Sequence, residues 1–171
     1  FKRIKSMNRR FEFLGKKMGI IGLGNIGSRV KRRAQAFGME VRAYDPYVAE
    51  AKNNLREVLA CDIITLHPEL NEETKYMIDE EELNFMKEDA ILINASRGKV
   101  VRERALLKAL GHHSIRMAIL DVFEEEPRPS PLWDMENAIC TPHIAGNSIE
   151  CRIRGAKMIF DQMMASIHLL P

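Results

Sequence analysis

Short apolar runs alternate along the chain with amphipathic stretches. The apolar runs predict six strands, at residues 18–21, 40–44, 63–67, 90–94, 117–122 and 138–141. The stretches between and after them, in which apolar residues recur at helical spacing, predict helices at residues 25–37, 55–60, 79–86, 102–110 and 148–167, with Asp79 as the N-cap of the third. In the helix over 25–37 the spacing places four apolar side chains on one face: Ile26, Val30, Ala34 and Phe37.

The predicted strands are continuously apolar rather than alternating, so we expect both of their faces to be buried. Strands of this kind that alternate with helices predict a doubly wound α/β domain, in which helices cover both sides of a mostly parallel sheet of the Rossmann type. Ligands of such domains bind beyond the carboxyl ends of the strands. Functional side chains are therefore expected directly after each strand.

A glycine-rich turn, Gly22-Leu23-Gly24-Asn25-Ile26-Gly27, lies between the first predicted strand and the first helix. In this context Gly22 allows the tight turn, Gly24 lets the backbone approach a pyrophosphate, and Gly27 lets helix and strand pack closely. The backbone N–H groups of Asn25 and Ile26 lie at the positive end of the helix dipole. This turn predicts a dinucleotide site.

Asp45 follows the second predicted strand, 18 residues after Gly27 (45 − 27). A carboxylate at this point is placed to bind the adenosine ribose hydroxyls, and it repels the 2′-phosphate of NADP. No arginine follows Asp45 directly, and the alternation of side chains along the strand turns Arg42 away from it. The predicted cofactor is therefore NAD.

Composition restricts the class of protein further. Hydrophobic residues make up 46% of the 171 and charged residues 29%, a balance typical of globular proteins. The formal net charge of +2 argues against nucleic acid or an anionic membrane as a partner. The three cysteines lack the spacing of metal ligands and suit a reducing compartment, and no apolar run is long enough to span a membrane. We expect a cytoplasmic protein without a metal site.

Three further motifs follow later strands: Asn-Ala-Ser-Arg-Gly at 94–98, Leu-Asp-Val-Phe-Glu-Glu-Glu-Pro at 120–127 and Thr-Pro-His-Ile-Ala-Gly at 141–146. With the glycine turn and Asp45 they resemble, in order, the motifs of the D-isomer-specific 2-hydroxyacid dehydrogenases, a family that includes phosphoglycerate, glyoxylate and hydroxypyruvate-type enzymes. The resemblance extends from Leu14 to about Glu150. It implies an NAD-dependent oxidoreductase that interconverts a small D-2-hydroxy acid and a 2-oxo acid.

The resemblance also implies roles for individual residues. Arg97 corresponds to the arginine that binds the substrate carboxylate and carbonyl, and Glu126 and His143 correspond to the catalytic acid–base pair. Histidine suits proton transfer because its ordinary pKa lies near neutrality, and an adjacent carboxylate orients its ring. Asp121 is expected at the nicotinamide end of the cofactor. The other residues expected to contact the cofactor are Pro68, Ala95, Ser96, Ala145 and Gly146.

The chain departs from the family pattern in several places. Glu69 and Asn71 lie in the loop after the third strand, and Lys99 and Arg102 follow the Arg97 motif, where the family favours a small residue and then an acid. Of the acidic run at 124–126, only Glu126 matches the family's catalytic position, so the other two glutamates are expected to be solvated.

The resemblance implies three segments. Residues 1–13 would lead in from a substrate domain that is largely absent from this chain, residues 14–147 would form the NAD-binding domain, and residues 148–171 would form a helix crossing towards the substrate domain. The apolar positions of that helix would then be exposed: Ile153, Ala156, Ile159, Met163 and Ile167. A homodimer is expected from the resemblance alone.

Another class of function stays open at this point. Some relatives of these dehydrogenases act as NAD-responsive transcriptional corepressors and keep the catalytic residues, so a non-catalytic binding module fits the same motifs. Formate dehydrogenases share the fold but typically carry glutamine at the position of Glu126. The segment 131–133 resembles one common in glyoxylate and hydroxypyruvate reductases, and it does not identify the substrate.

Overall fold

A computed structural model describes residues 12–167. Its centre is one sheet of six parallel strands in the order β2-β1-β3-β4-β5-β6. The strands are β1 (Lys17–Ile21), β2 (Glu40–Tyr44), β3 (Ile63–Leu66), β4 (Ile91–Asn94), β5 (Met117–Leu120) and β6 (Ala138–Cys140). The predicted parallel α/β sheet is confirmed. The strand order reverses between β1 and β3, and ligands of doubly wound sheets bind at such a switch point.

Residues 12–167 contain five α-helices, which follow the strands or connect them. They are α1 (Asn25–Ala36), α2 (Leu55–Leu59), α3 (Glu80–Phe85), α4 (Glu103–Gly111) and α5 (Ile149–Ile167). Each predicted helix is present, and no bound differs from the prediction by more than one residue. The predicted N-cap Asp79 is confirmed, because its side chain accepts from Glu80 N and forms a capping box with Glu82.

Helices cover the two faces of the sheet unequally. On one face, α2, α3 and α4 bury a continuous aliphatic cluster that includes Val58, Leu83 and Leu106. On the other face, α1 covers part of the sheet, while Ile119 on β5 is only partly buried and Ile139 on β6 is 48% exposed. Within residues 12–167, the expectation of complete cover on both faces is therefore wrong at the β5–β6 end.

The predicted buried face of α1 is confirmed only in part, since Ala34 is buried and Val30 packs partly buried against the core. Its buried residues are Gly27 and Ala34, whereas Ile26 and Phe37 are 63% and 64% exposed. A β-carbon on residue 27 would overlap the carbonyl oxygen of Gly22, so the helix approaches β1 on its glycine side. At about 100° per residue this side lies roughly a quarter turn away from Ile26. Close backbone contact at Gly27 therefore decides which face is buried.

Helix α5 is exposed along the length for which burial is described, residues 149–166, apart from a half-buried Gly155. The expected apolar strip is present on its surface, with Ile153, Ile159 and Met163 each more than half exposed. Across residues 12–167, none of the helices combines the length and the apolar character that crossing a bilayer requires.

Candidate active site and nucleotide cleft

The glycine turn makes a close backbone crossing at the carboxyl end of β1. Gly22 has a φ of +86°, and a β-carbon there would lie 2.7 Å from the carbonyl carbon of His67 and from the nitrogen of Pro68. Glycine is therefore required at this position, because a side chain would meet backbone and the positive φ would be strained. The turn thus brings Pro68, at the start of the loop after β3, against Gly22 at the end of β1.

Gly24 differs from the other two glycines of the turn. It has an ordinary extended conformation, and a β-carbon there would meet nothing within 4 Å. It precedes Asn25 and Ile26, whose first-turn N–H groups begin α1. The open space in front of Gly24 is thus next to a helix N-terminus, an environment that favours a phosphate group.

The side chain of Asp45 links the second strand to the glycine turn. Its Oδ2 accepts from Leu23 N at 2.8 Å and its Oδ1 accepts from Tyr47 N at 2.9 Å. The carboxylate is partly exposed, so each oxygen retains acceptor capacity toward the cleft. Arg42 instead pairs with Glu40 at 3.2 Å.

Tyr47 joins the loops that follow β2 and β3. Its hydroxyl donates to Glu73 Oε2 at 2.6 Å, and this hydrogen bond raises the pKa of Tyr47. The loop after β3 is itself ordered by Asn71, whose Oδ1 accepts from the backbone nitrogens of Glu73 and Thr74. The unusual residues after Pro68 thus form a defined turn, and no local pattern indicates the contact between this loop and Tyr47.

His67 lies between these loops and the sheet. Its Nε2 is 3.0 Å from the hydroxyl of Thr65, and burial lowers the pKa of His67. The ring is therefore neutral at physiological pH, which suits a residue that lines a cleft without carrying charge.

Asn94, at the end of β4, organises the turn that carries Arg97. The Asn94 side chain is buried; its Oδ1 accepts from the backbone nitrogen and the hydroxyl of Ser96, and its Nδ2 donates to the carbonyl of Arg97. Ala95 is exposed at the same turn. Arg97 is exposed, its Nη1 donates to the Ser96 carbonyl at 2.8 Å, and it pairs with no carboxylate of residues 12–167.

Glu126 and His143 form a pair between the loops after β5 and β6. The Oε2 of Glu126 lies 2.6 Å from Nδ1 of His143, and its Oε1 accepts from Phe123 N at 2.8 Å. Because a carboxylate only accepts, Nδ1 carries the proton and Nε2 is the unprotonated nitrogen of the neutral ring. His143 has a φ of 51°, an uncommon conformation for a residue other than glycine.

Asp121 orders the loop that carries His143. Its Oδ1 accepts from the Thr141 hydroxyl at 2.5 Å and from Ile144 N at 2.9 Å, and its Oδ2 accepts from Ala145 N at 2.8 Å. Burial by itself would raise the pKa of Asp121, but the bonds from Thr141 and the two amides lower it below the ordinary value. Its expected contact with nicotinamide stays a prediction. Gly146 lies in the same exposed loop.

The expectation for the acidic run is wrong at Glu124. Glu125 is exposed and pairs with Arg128 at 2.8 Å, as expected of a solvated side chain. Glu124 is instead partly buried, and its Oε1 accepts from Glu103 N at 2.6 Å. The partner lies 21 residues away at the start of α4, so no local pattern indicates the contact.

The unusual Arg102 has a partner of its own. It forms an ion pair with Asp79, and its guanidinium carbon lies 3.9 Å from the centre of the Tyr76 ring. The basic residue thus joins the start of α4 to the start of α3. Lys99 is exposed, and its backbone carbonyl accepts from Tyr76 N at 2.7 Å.

Comparison with known proteins decides the family. Residues 2–145 match the model of the D-isomer specific 2-hydroxyacid dehydrogenase, NAD binding domain. The chain belongs to this family. Its sheet, its glycine turn and the loops after β4, β5 and β6 are thus those of an NAD-binding dehydrogenase domain.

The curated proteins that this chain resembles are named for several different substrates. The chain is 43% identical over 166 residues to a glyoxylate reductase of Korarchaeum cryptofilum, with 91% of this chain and 50% of that protein covered. It is 44% identical over 160 residues to an erythronate-4-phosphate dehydrogenase of a Psychrobacter species, with 88% and 43% covered. The chain therefore spans about half the length of the curated relatives it matches.

Solved structures agree with the fold. A D-lactate dehydrogenase from Aquifex aeolicus complexed with NAD and lactic acid superposes with a TM-score of 0.84 at 31% identity, covering 98% of this chain and 60% of that one. An acyclic imino acid reductase in complex with NADPH and D-Arg superposes with a TM-score of 0.87 at 30% identity, covering 98% and 58%.

The dehydrogenase domain has the features that NAD requires. The open position at Gly24 leaves room for a pyrophosphate at the N-terminus of α1, and the Asp45 carboxylate lies beside it through its bond to Leu23. Among residues 12–167, no three histidine, cysteine, aspartate or glutamate side chains are grouped as metal ligands.

Proposed function

We propose that the protein, in its full natural length, interconverts a D-2-hydroxy acid and a 2-oxo acid, with His143 transferring the proton. The observation that carries the proposal is the 2.6 Å contact between Glu126 Oε2 and His143 Nδ1 at the carboxyl edge of the sheet. A carboxylate–imidazole pair of this geometry is an established device for proton transfer.

In this mechanism the Glu126–His143 pair controls one proton. Glu126 accepts from Nδ1, which fixes the ring orientation and directs Nε2 away from the carboxylate. During reduction, protonated Nε2 donates to the carbonyl oxygen of the 2-oxo acid. During oxidation, neutral Nε2 accepts the hydroxyl proton, and Glu126 stabilises the positive charge that develops on the ring.

Arg97 binds the substrate carboxylate in the proposed mechanism. Its exposed guanidinium has no carboxylate partner within residues 12–167, so it is available to an anionic ligand. A planar guanidinium matches a carboxylate with two parallel hydrogen bonds and also polarises an adjacent carbonyl. Asn94 and Ser96 hold the turn that presents it.

The nucleotide would be held by the glycine turn and by the loops that follow the strands. When bound, NAD supplies the hydride acceptor, or NADH the hydride donor. Gly24, Asn25 and Ile26 would receive the pyrophosphate, and Asp45 would accept from the ribose hydroxyls. The remaining proposed contacts come from Gly22, Gly27, Pro68, Ala95, Ser96, Asp121, Ala145 and Gly146.

We further propose that the protein works in the cytoplasm as a homodimer. The three cysteines are free, which suits a reducing compartment. The exposed apolar residues on α5 and on α1 supply surface that a second copy would bury. Segments 1–13 and 148–171 are proposed to connect the NAD-binding domain, 14–147, to a substrate domain.

The test is hydride transfer by the full-length protein. NADH oxidation is followed with glyoxylate, hydroxypyruvate, pyruvate and phosphorylated 2-oxo acids, in wild type and in His143→Asn, Glu126→Gln and Arg97→Lys variants. Asparagine is chosen because it tolerates the positive φ at position 143. We expect turnover with at least one acid and a loss of at least about a hundredfold in kcat/KM for His143→Asn. NADH binding should be unchanged.

Two results would contradict this proposal. Full turnover by His143→Asn would remove the histidine from the mechanism. NADH binding without turnover of any acid would favour the non-catalytic, NAD-responsive binding module instead.

A further inference from the structure

Glu126 lies in a segment without helix or strand, residues 121–130, that follows β5. Its two carboxylate oxygens bind Phe123 N and His143 Nδ1. Neither contact fixes the segment to the rest of the domain, since Phe123 lies within the segment and His143 lies on another exposed loop. Something else must hold the backbone on both sides of Glu126.

The carboxylate of Glu103, at the first position of α4, makes that connection. Its Oε2 accepts from Glu124 N at 3.2 Å, and its Oε1 accepts a short hydrogen bond from the Ser130 hydroxyl. Glu124 and Ser130 lie two residues before and four residues after Glu126 (126 − 124 and 130 − 126). One side chain therefore ties the segment to α4 on both sides of the catalytic candidate.

The attachment is reciprocal and lies close to the core. Glu124 Oε1 accepts from Glu103 N at 2.6 Å, so each glutamate binds the backbone nitrogen of the other. Ser130 is buried and its Oγ also accepts from Leu132 N at 3.1 Å. Both carboxylates lie at the N-terminus of α4, where the helix dipole offsets the repulsion between them.

We propose that Glu103 is a positioning residue for the Glu126–His143 pair, holding the segment 124–130 so that Glu126 reaches Nδ1 of His143. This inference rests on the proposed function of that pair. Without Glu103, the segment loses both attachments to α4 through that side chain, and ordering it again costs conformational entropy. Glu126 then occupies the bonded geometry in fewer molecules.

The experiment measures the pair directly in this chain. Ring nitrogen NMR at pH 8.5, where an ordinary histidine is neutral, gives the proportion of each histidine in the Nδ1–H tautomer. His143→Asn identifies the His143 signal. The variants are Glu103→Ala, Glu103→Gln and Ser130→Ala. The matched control is Glu81→Ala, which removes an exposed glutamate from the first turn of α3.

We expect the His143 ring to be predominantly Nδ1–H in wild type and in Glu81→Ala. In Glu103→Ala, the ratio of Nδ1–H to Nε2–H should be at least threefold lower. Glu103→Gln, which keeps an acceptor oxygen and a polar group, should restore most of the wild-type ratio. Ser130→Ala cuts one of the two attachments and should give an intermediate ratio, so it decides the case if Glu103→Ala does not fold.

The outcomes separate the two proposals. A wild-type ring that is mainly Nε2–H would show that Glu126 and His143 do not pair, which contradicts the proposed function itself. If the His143 ring is mainly Nδ1–H in wild type, and the ratio of Nδ1–H to Nε2–H is the same in folded Glu103→Ala or in Ser130→Ala, only the positioning role is overturned. A fall in melting temperature with an unchanged ratio would make Glu103 merely structural.

Discussion

The backbone of Gly98 lies against the carbonyl group of Phe123, so closely that a β-carbon on residue 98 would overlap its carbon and oxygen atoms. This contact joins the loop that presents Arg97 to the segment that presents Glu126. The three proposed catalytic residues thus belong to a connected set of loops, because the segment of Glu126 also binds His143.

Replacing Gly98 with alanine should destabilise the domain. The new methyl group would meet backbone, which cannot move aside as a side chain does, and overpacking of this kind costs typically about 1–3 kcal/mol. Thermal or urea unfolding measures the effect. Gly111→Ala is the matched control, because a β-carbon at Gly111 would meet nothing within 4 Å. Equal stability of the two variants would show that the two loops are not in contact.

Two alanine substitutions in the glycine turn should affect different properties, one the binding of NADH and the other the stability of the fold. Gly24→Ala should keep the wild-type melting temperature and weaken NADH binding at least about tenfold, because its methyl group enters the open space proposed for the pyrophosphate. Gly27→Ala should lower the melting temperature, because its methyl group would overlap the Gly22 carbonyl. Fluorescence titration and thermal unfolding separate the two. Tight NADH binding by Gly24→Ala would place the pyrophosphate elsewhere.

Asp45→Asn should reduce the preference for NADH over NADPH. The variant removes the negative charge that opposes a 2′-phosphate, and it keeps one oxygen to accept from Leu23 N or Tyr47 N. We expect NADH affinity to fall by about tenfold, 1.4 kcal/mol, while NADPH affinity stays equal or rises. Glu50→Gln, an exposed acid in the same loop, is the control. An unchanged ratio of the two dissociation constants would refute the role of Asp45.

Asp121 should make stability depend on pH. Its pKa is lowered in the folded chain, so its contribution is complete above the unfolded value of about 3.9 and is lost as the pH falls through the folded pKa. Asp121→Asn should therefore cost about 1–3 kcal/mol of unfolding free energy at pH 7, and the deficit should shrink below about pH 4. Urea unfolding across this range measures it. The exposed Asp89→Asn serves as control, and a deficit of constant size at every pH would contradict the prediction.

The apolar strip on α5 should drive association. Replacing Ile153, Ile159 and Met163 together by glutamine keeps good helix formers and removes exposed apolar surface. Sedimentation velocity should show weaker self-association than in wild type at the same concentration. Ile139→Gln, at an exposed position of β6, tests whether any exposed isoleucine has the same effect. Identical concentration dependence in wild type and the triple variant would exclude α5 as the associating surface.

Local patterns in the sequence were enough for the secondary structure and for the motifs. Continuous apolar runs predicted every strand to within two residues at each end, and Asp79 marked the start of a helix. The glycine spacing placed a turn between β1 and α1, because the positive φ of Gly22 and the close contact between Gly27 and the Gly22 carbonyl arise within a few residues of chain. The order of the motifs was sufficient to identify the family.

Contacts between residues far apart in the chain required the tertiary structure. The reciprocal hydrogen bonds between Glu103 and Glu124 join residues 21 apart in the chain, and the hydrogen bond from Tyr47 to Glu73 joins residues 26 apart. Each depends on how two segments distant in the chain meet beside the sheet, and hydrophobic periodicity carries no information about that geometry. In α1 the local contact at Gly27 turns Gly27, Val30 and Ala34 toward the sheet and leaves Ile26 exposed. The sequence thus determined which chemical groups reach the carboxyl edge, and the tertiary structure decided which of them hold the others in place.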